Sequence, residues 1–173
     1  MVSCLMQFQS KRLNYRKYRD NDLDAYLQVS MNEEVMAYIT GYSLEEEEAV
    51  ERFNKVLKEN EVHPVLGCYF VSRREDDVYI GTSKLIPVKG EPAHCEIGYA
   101  LLPDYWGLGY ATEMVEYLVD YARNSSEIRR IMAIVDPEHM VSIHILRKFG
   151  FEKYDEGTYY KLPAWYYKLE LDG

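Results

Sequence analysis

Apolar residues recur every three or four positions in three long stretches of this chain. Ala49, Val50, Phe53, Val56 and Leu57 form one stripe. Ala111, Met114, Val115, Leu118 and Ala122 form a second, and Val141, Ile145, Leu146 and Phe149 a third. That spacing is one face of an amphipathic α-helix turned toward a core. The first stripe follows Ser43-Leu44-Glu45-Glu46, which has the form of a capping box, and the acidic run 45–48 sits where it favours the helix dipole. The third opens at Pro137 and stops at Gly150. A shorter helix through Leu23, Tyr26 and Leu27 can be capped by Asp20 or Asp22.

The remaining apolar segments are β-rich. Strands are expected at 13–16, 65–71, 78–86, 94–102, 128–135, 151–154 and 165–171, with a polar turn at 72–77 and a loop at 87–92. A loop around Gly157 and Pro163 joins the last two. The order is β, α, α, three strands, α, β, α, β, β. Consecutive strands in the middle predict antiparallel pairing, and the later strand–helix–strand unit predicts a parallel crossover. The fold class is therefore α/β (α+β) with a mixed sheet and helices on both faces. No repeat, low-complexity tract or linker divides the chain, so 1–173 reads as a single domain.

Composition narrows the partners. With 173 residues and 47% apolar content, one packed core is expected. Against 29 Asp+Glu stand 20 Lys+Arg, a net charge of -9. That field repels polyphosphate backbones, and the basic clusters Lys11-Arg12, Arg16-Lys17-Arg19 and Arg129-Arg130 are short, so no nucleic-acid partner is expected. A cationic substrate suits the field, although solubility alone accounts for such a balance. No apolar run is long enough for a membrane-spanning helix, and the N-terminus lacks a secretory leader pattern. Cys4, Cys68 and Cys95 have neither metal nor redox spacing, nor do His63, His94 and His144. A cytoplasmic protein with reduced thiols, no metal and no membrane association is expected.

The most informative segment runs from Glu96 through Gly98, Pro103 and Tyr105-Trp106-Gly107-Leu108-Gly109 to Glu113. A strand enters a turn with two glycines, and the turn opens a helix. The first N–H groups of a helix lack internal partners, and the dipole favours negative charge there, so a pyrophosphate fits. Equally, Gly107 and Gly109 can serve only to shape a loop. The segment lacks the Gly-Lys-Ser/Thr of a P-loop, and Thr112 stands where a dinucleotide fingerprint needs Gly or Ala.

Trp106-Gly107-Leu108-Gly109-Tyr110-Ala111 resembles the Gln/Arg-x-x-Gly-x-Gly/Ala turn of the GNAT superfamily of N-acetyltransferases. The leading Trp, with Tyr105, Thr112 and Glu113, is similar to the branch that acetylates the N-terminal alanine or serine of ribosomal proteins. The stretch from Pro137 through Ser142 to Gly150-Phe151 resembles the family's second helix and strand. The resemblance implies a mostly antiparallel sheet of about seven strands with splayed central strands holding acetyl-CoA. It implies pyrophosphate bonds from the N–H groups of Leu108 to Ala111, Trp106 and Gly107 within the same turn, and pantetheine pairing near Tyr99 and Leu101. Family positions put His139 where an Asn usually bonds the pantetheine region, and Leu146 where many members carry an acidic Tyr. They give Ser142 the thiol sulfur. Acceptor specificity falls to 32–43 and 157–164.

Acetyl transfer needs a neutral amine, whereas an α-amine or lysine is largely ammonium at pH 7. Glu96, at the head of the strand carrying the thioester, is the candidate base. Its other reading is a carboxylate paired with a cation such as Lys84 on the next strand. Ser142 has a bland reading too, a local bond to a helix carbonyl. His139 can titrate near pH 6.5. Tyr38, Tyr42, Tyr69, Tyr99, Tyr159 and Tyr160 can line an amine pocket through cation–π contacts. The expectation is an acetyl-CoA-dependent N-acetyltransferase acting on a protein N-terminus or a small amine, as monomer or homodimer. The alternative is a non-catalytic acyl-CoA-binding or sensing module of the same fold.

Overall fold

The computed structural model describes residues 8–171, so Cys4 lies outside the described residues. Eight strands form one sheet: β1 (Phe8–Gln9), β2 (Leu13–Lys17), β3 (Gly67–Arg73), β4 (Tyr79–Val88), β5 (Glu91–Leu101), β6 (Arg130–Val135), β7 (Glu152–Tyr159) and β8 (Leu162–Glu170). Their order is β1-β2-β3-β4-β5-β6-β8-β7. Among the described residues only β5 and β6 run parallel, joined by α4 (Tyr110–Asn124) as the crossover. The other helices are α1 (Leu23–Ser30), α2 (Glu33–Met36), α3 (Glu46–Val62) and α5 (Met140–Lys148). Among the described residues, no helix is long and apolar enough to cross a membrane.

Strand alternation sends side chains to two layers. Cys95 and Ile97 of β5 join Val115, Leu118 and Val119 of α4 and Ile143 and Leu146 of α5 in the main core. Ala100 points the other way, to Val29 of α1 and Val35 of α2. Helices therefore cover both faces, as the patterning requires. Of the α4 stripe legible in the sequence, Met114, Val115, Leu118 and Ala122 are buried, and Val119, which the stripe did not include, is buried with them.

Several local expectations are corrected. Ser43 does not cap α3: the buried Leu44 is tied to α1 by its N–H on the Ser30 carbonyl, and Glu45 takes the cap position without a side-chain bond. The first-turn acids Glu46, Glu47 and Glu48 remain. Asp22 stands at the cap of α1, but its carboxylate holds Arg16 at 2.6 and 2.8 Å instead. Residues 87–92 are not a loop. β4 and β5 form a tight hairpin, and Pro87 is tolerated because the β3–β4 pairing ends at Gly67–Leu85, before the proline is reached. Gly157 and Pro163 lie inside strands, and the turn is Tyr160-Lys161, both with positive φ. The helix expected from Pro137 begins at Met140, with His139 as its cap.

Candidate active site

β5 and β6 pair from His94–Arg130 to Ile97–Ala133, and then they part. β6 keeps its pairing with β8 through Val135–Trp165, and β5 keeps its pairing with β4 through Leu101–Gly81. The sheet thus splits into a V without losing either half. Leu102 N–H bonds the Ile80 carbonyl on β4. Alternation then turns the backbone groups of Tyr99 and Leu101 toward the gap. A cleft of about 1000 Å³ fills the V, lined from β5 by Glu96, Gly98, Tyr99 and Leu101 and from α5 by His139 and Ser142.

The glycine turn forms the far lip of this cleft. Gly107 and Gly109 have φ of 71° and 81°, the left-handed region that glycine enters without cost. Gly109 is the cap of α4, and the first intrahelical bond is Glu113 N–H to its carbonyl. The N–H groups of Tyr110, Ala111 and Thr112 have no partner among the described residues, and all three residues line the cleft. The amides expected from the sequence end at Ala111 and do not include the N–H of Thr112. Trp106 braces the turn: its indole N–H bonds the Leu101 carbonyl at 2.7 Å. Leu108 does not line the cleft; its carbonyl is turned to Arg12 at 2.9 Å.

A clamp that the sequence did not reveal holds the turn from behind. Glu113 is buried and accepts from Ser10 Oγ at 2.7 Å, Arg12 N–H at 2.6 Å and Arg12 Nε at 2.7 Å. The Arg12 guanidinium also lies 4.3 Å over the Tyr110 ring. Burial pushes the Glu113 carboxyl up, but the bonds from Ser10 and Arg12 outweigh it and hold it below the usual range. Glu113→Gln removes the charge and keeps the shape. It is expected to cost about 2 kcal/mol, or roughly 4–8 °C in Tm by differential scanning calorimetry. The wild-type contribution is present above about pH 4.3, the unfolded value. It is lost as pH falls through the lower folded value, and the variant should lack that loss.

Glu96 and Lys84 occupy the β5 face toward α1–α3. Lys84 Nζ lies 2.5 Å from Glu96 Oε1. Lys84 is opposite Gly98, and its stem crosses β5 there: a Cβ on Gly98 would fall 2.5 Å from Lys84 Cε. Burial lowers the ammonium's pKa, yet the Glu96 charge and hydrogen bond more than offset this and raise it overall. The paired reading of Glu96 is therefore present, and among the described residues its Oε2 has no partner.

On the opposite wall Ser142 is buried in the first turn of α5, and no bond to a helix carbonyl is found for its hydroxyl among the described residues. Beside it lies the Tyr99 hydroxyl, buried and unpartnered, with its pKa pushed up to about 12 by burial despite Ser142. His139 stacks on Tyr38 of the segment after α2, with ring centroids 4.4 Å apart and 8° between planes. Burial lowers its pKa against the pull of Asp136, so the ring is neutral at pH 7.

Of the tyrosines named from the sequence, Tyr38, Tyr99 and Tyr159 line the cleft. Tyr69 does not; it is core beside Tyr15 and Met114. Tyr42 is exposed, and Tyr160 lies under Arg52 outside the lining. Glu34, Met36 and Ile39, with Tyr159, Leu162 and Pro163, bring the two expected specificity segments to one cleft.

Known proteins share this chain's sequence pattern and fold. Residues 12–152 match the acetyltransferase (GNAT) domain family. A Bacillus subtilis protein, the uncharacterized N-acetyltransferase YnaD, is 30% identical over 157 residues, covering 90% of this chain and 87% of its own length. A GNAT-family acetyltransferase from Bacillus anthracis superposes with a TM-score of 0.80 at 23% identity, covering 95% of this chain and 98% of the other. RimL, a ribosomal-protein alpha-N-acetyltransferase solved with coenzyme A, also superposes at 0.80, with 16% identity and coverage of 96% and 99%.

Proposed function

Because this chain belongs to the GNAT acetyltransferase family and is an acyltransferase, we propose that it carries an acetyl group from acetyl-CoA to a primary amine. The amine, a protein N-terminus or a small molecule, attacks the thioester directly. The observation that carries this reading is the V between β5 and β6, whose free β5 edge leads to the unpartnered N–H groups at the start of α4. The pantetheine arm then extends β5 as an added strand on the backbone of Tyr99 and the N–H of Leu101, whose carbonyl already accepts from the Trp106 indole. The pyrophosphate sits on the amides of Tyr110, Ala111 and Thr112, where the helix dipole favours it.

Glu96 takes the proton that the attacking ammonium must lose, through Oε2 or a bridging water. The amine nitrogen then bonds the acyl carbon. As the carbon–sulfur bond breaks, its electron pair leaves on sulfur. Ser142 donates a hydrogen bond to that sulfur. Leu146, apolar and buried, offers no proton, so the thiolate takes one from the amine or from water. His139 donates one hydrogen bond toward the pantetheine, as a neutral ring can.

Two measurements test the reading. Acetyl-CoA at about 100 times its Kd should raise Tm by roughly 5–10 °C, since native-state binding then adds about 2.7 kcal/mol. Free thiol should appear in step with acetylated product when peptides with free α-amines or small primary amines are added. A raised Tm with no thiol release across the amine panel would instead make the protein an acyl-CoA-binding module.

A further inference from the structure

Among the described residues Lys84 is the only lysine lining the cleft. Its ammonium lies 2.5 Å from Glu96. Its stem is carried across β5 by the missing side chain of Gly98, one residue past the last β5–β6 pair. An amine is therefore already held on the base, at the vertex of the V, where the acceptor's amine belongs. Other lysines are engaged elsewhere: Lys17 holds the carbonyls of Asn60 and His63, and Lys153 holds Glu156. Arg52, the other cation of the lining, is a guanidinium bound to Glu48.

We propose that Lys84 is a site of self-acetylation, an internal acceptor that takes the acetyl group from the protein's own bound acetyl-CoA when no external amine is present. The inference rests on the acetyl-CoA reading given above. Glu96 removes one proton from the ammonium and passes it to solvent. Nζ bonds the acyl carbon, the carbon–sulfur bond breaks, and its electron pair departs on sulfur. The second proton lost by nitrogen ends on that sulfur. The products are Nε-acetyl-Lys84, CoA thiol and one proton. The step neutralises the cation on Glu96 and leaves both carboxylate oxygens to an external amine.

Full-length protein incubated with acetyl-CoA and no acceptor provides the test, read by intact mass, peptide mass spectrometry and thermal shift on the same samples. One acetyl group on Lys84 is expected, with one equivalent of thiol released. The fractional rate should be independent of protein concentration, and at least tenfold above that of the exposed Lys55. Lys84→Arg keeps a cation on Glu96 and should abolish the adduct while keeping the acetyl-CoA-induced rise in Tm. Glu96→Gln should slow Lys84 acetylation at least tenfold with the same rise retained. A rise in Tm with Lys84 acetylated no faster than Lys55 overturns self-acetylation alone. No rise in Tm overturns the acetyl-CoA reading and this one together.

Discussion

Gly109→Val is expected to weaken acetyl-CoA binding by roughly a thousandfold, read by isothermal titration calorimetry. Two effects act together. A β-branched residue at φ 81° is strained by about 2 kcal/mol, and relieving that strain moves the cap of α4. The new Cβ would also stand 3.4 Å from Arg12 Nη2, so the added methyl groups press on the guanidinium that holds the turn from behind. Losing or misaligning two charge-assisted bonds costs about 4 kcal/mol, which is close to three decades of affinity. Gly107→Ala is the control. A Cβ there meets nothing within 4 Å, so only backbone strain of about 1 kcal/mol is added. If Gly109→Val binds acetyl-CoA within a few-fold of wild type, the pyrophosphate does not rest on this turn.

Glu96→Gln should lower kcat by about 10²–10⁴-fold, the usual worth of a positioned base. KM for acetyl-CoA should hold, because the thioester strand is untouched. The fold should hold as well, since a Gln carbonyl can still accept from Lys84 Nζ. Without the carboxylate only amine that is already neutral reacts. The rate should then climb with pH toward the acceptor's own pKa, about 7.7–8.0 for an α-amine and 10.4 for a lysine. A kcat within a few-fold and an unchanged pH–rate profile would leave Glu96 as no more than Lys84's ion-pair partner.

The helices and strands that bury large apolar stripes were legible because burial imposes a period. The stripe of α4 and the alternation that sends Ile97 and Ala100 to opposite faces are both written in residue type. What the sequence hid depends on backbone detail or on long-range pairing. Tyr160-Lys161 makes a two-residue turn with φ of 49° and 66°, where neither Gly nor Asn signals it. Pro87 reads as a strand breaker, yet it opposes Cys95, whose backbone groups face β6 rather than β4. The candidate base was visible as a carboxylate at the head of a strand. That Lys84 reaches it over Gly98 follows from register, which only the folded sheet sets. The Arg12–Glu113 clamp joins positions 101 apart and has no local signature.

That clamp makes ligand binding a late event in folding. α4 can coil from local contacts as soon as residues 110–124 are available, but its N-terminal amides are held in place only when the β1–β2 ribbon docks behind them. Closing so long a loop is entropically expensive and belongs to the global transition rather than to local fluctuation. Hydrogen exchange at Tyr110–Thr112 should therefore slow when acetyl-CoA is bound, and Arg12 and its β2 neighbours should slow with it as one cooperative unit.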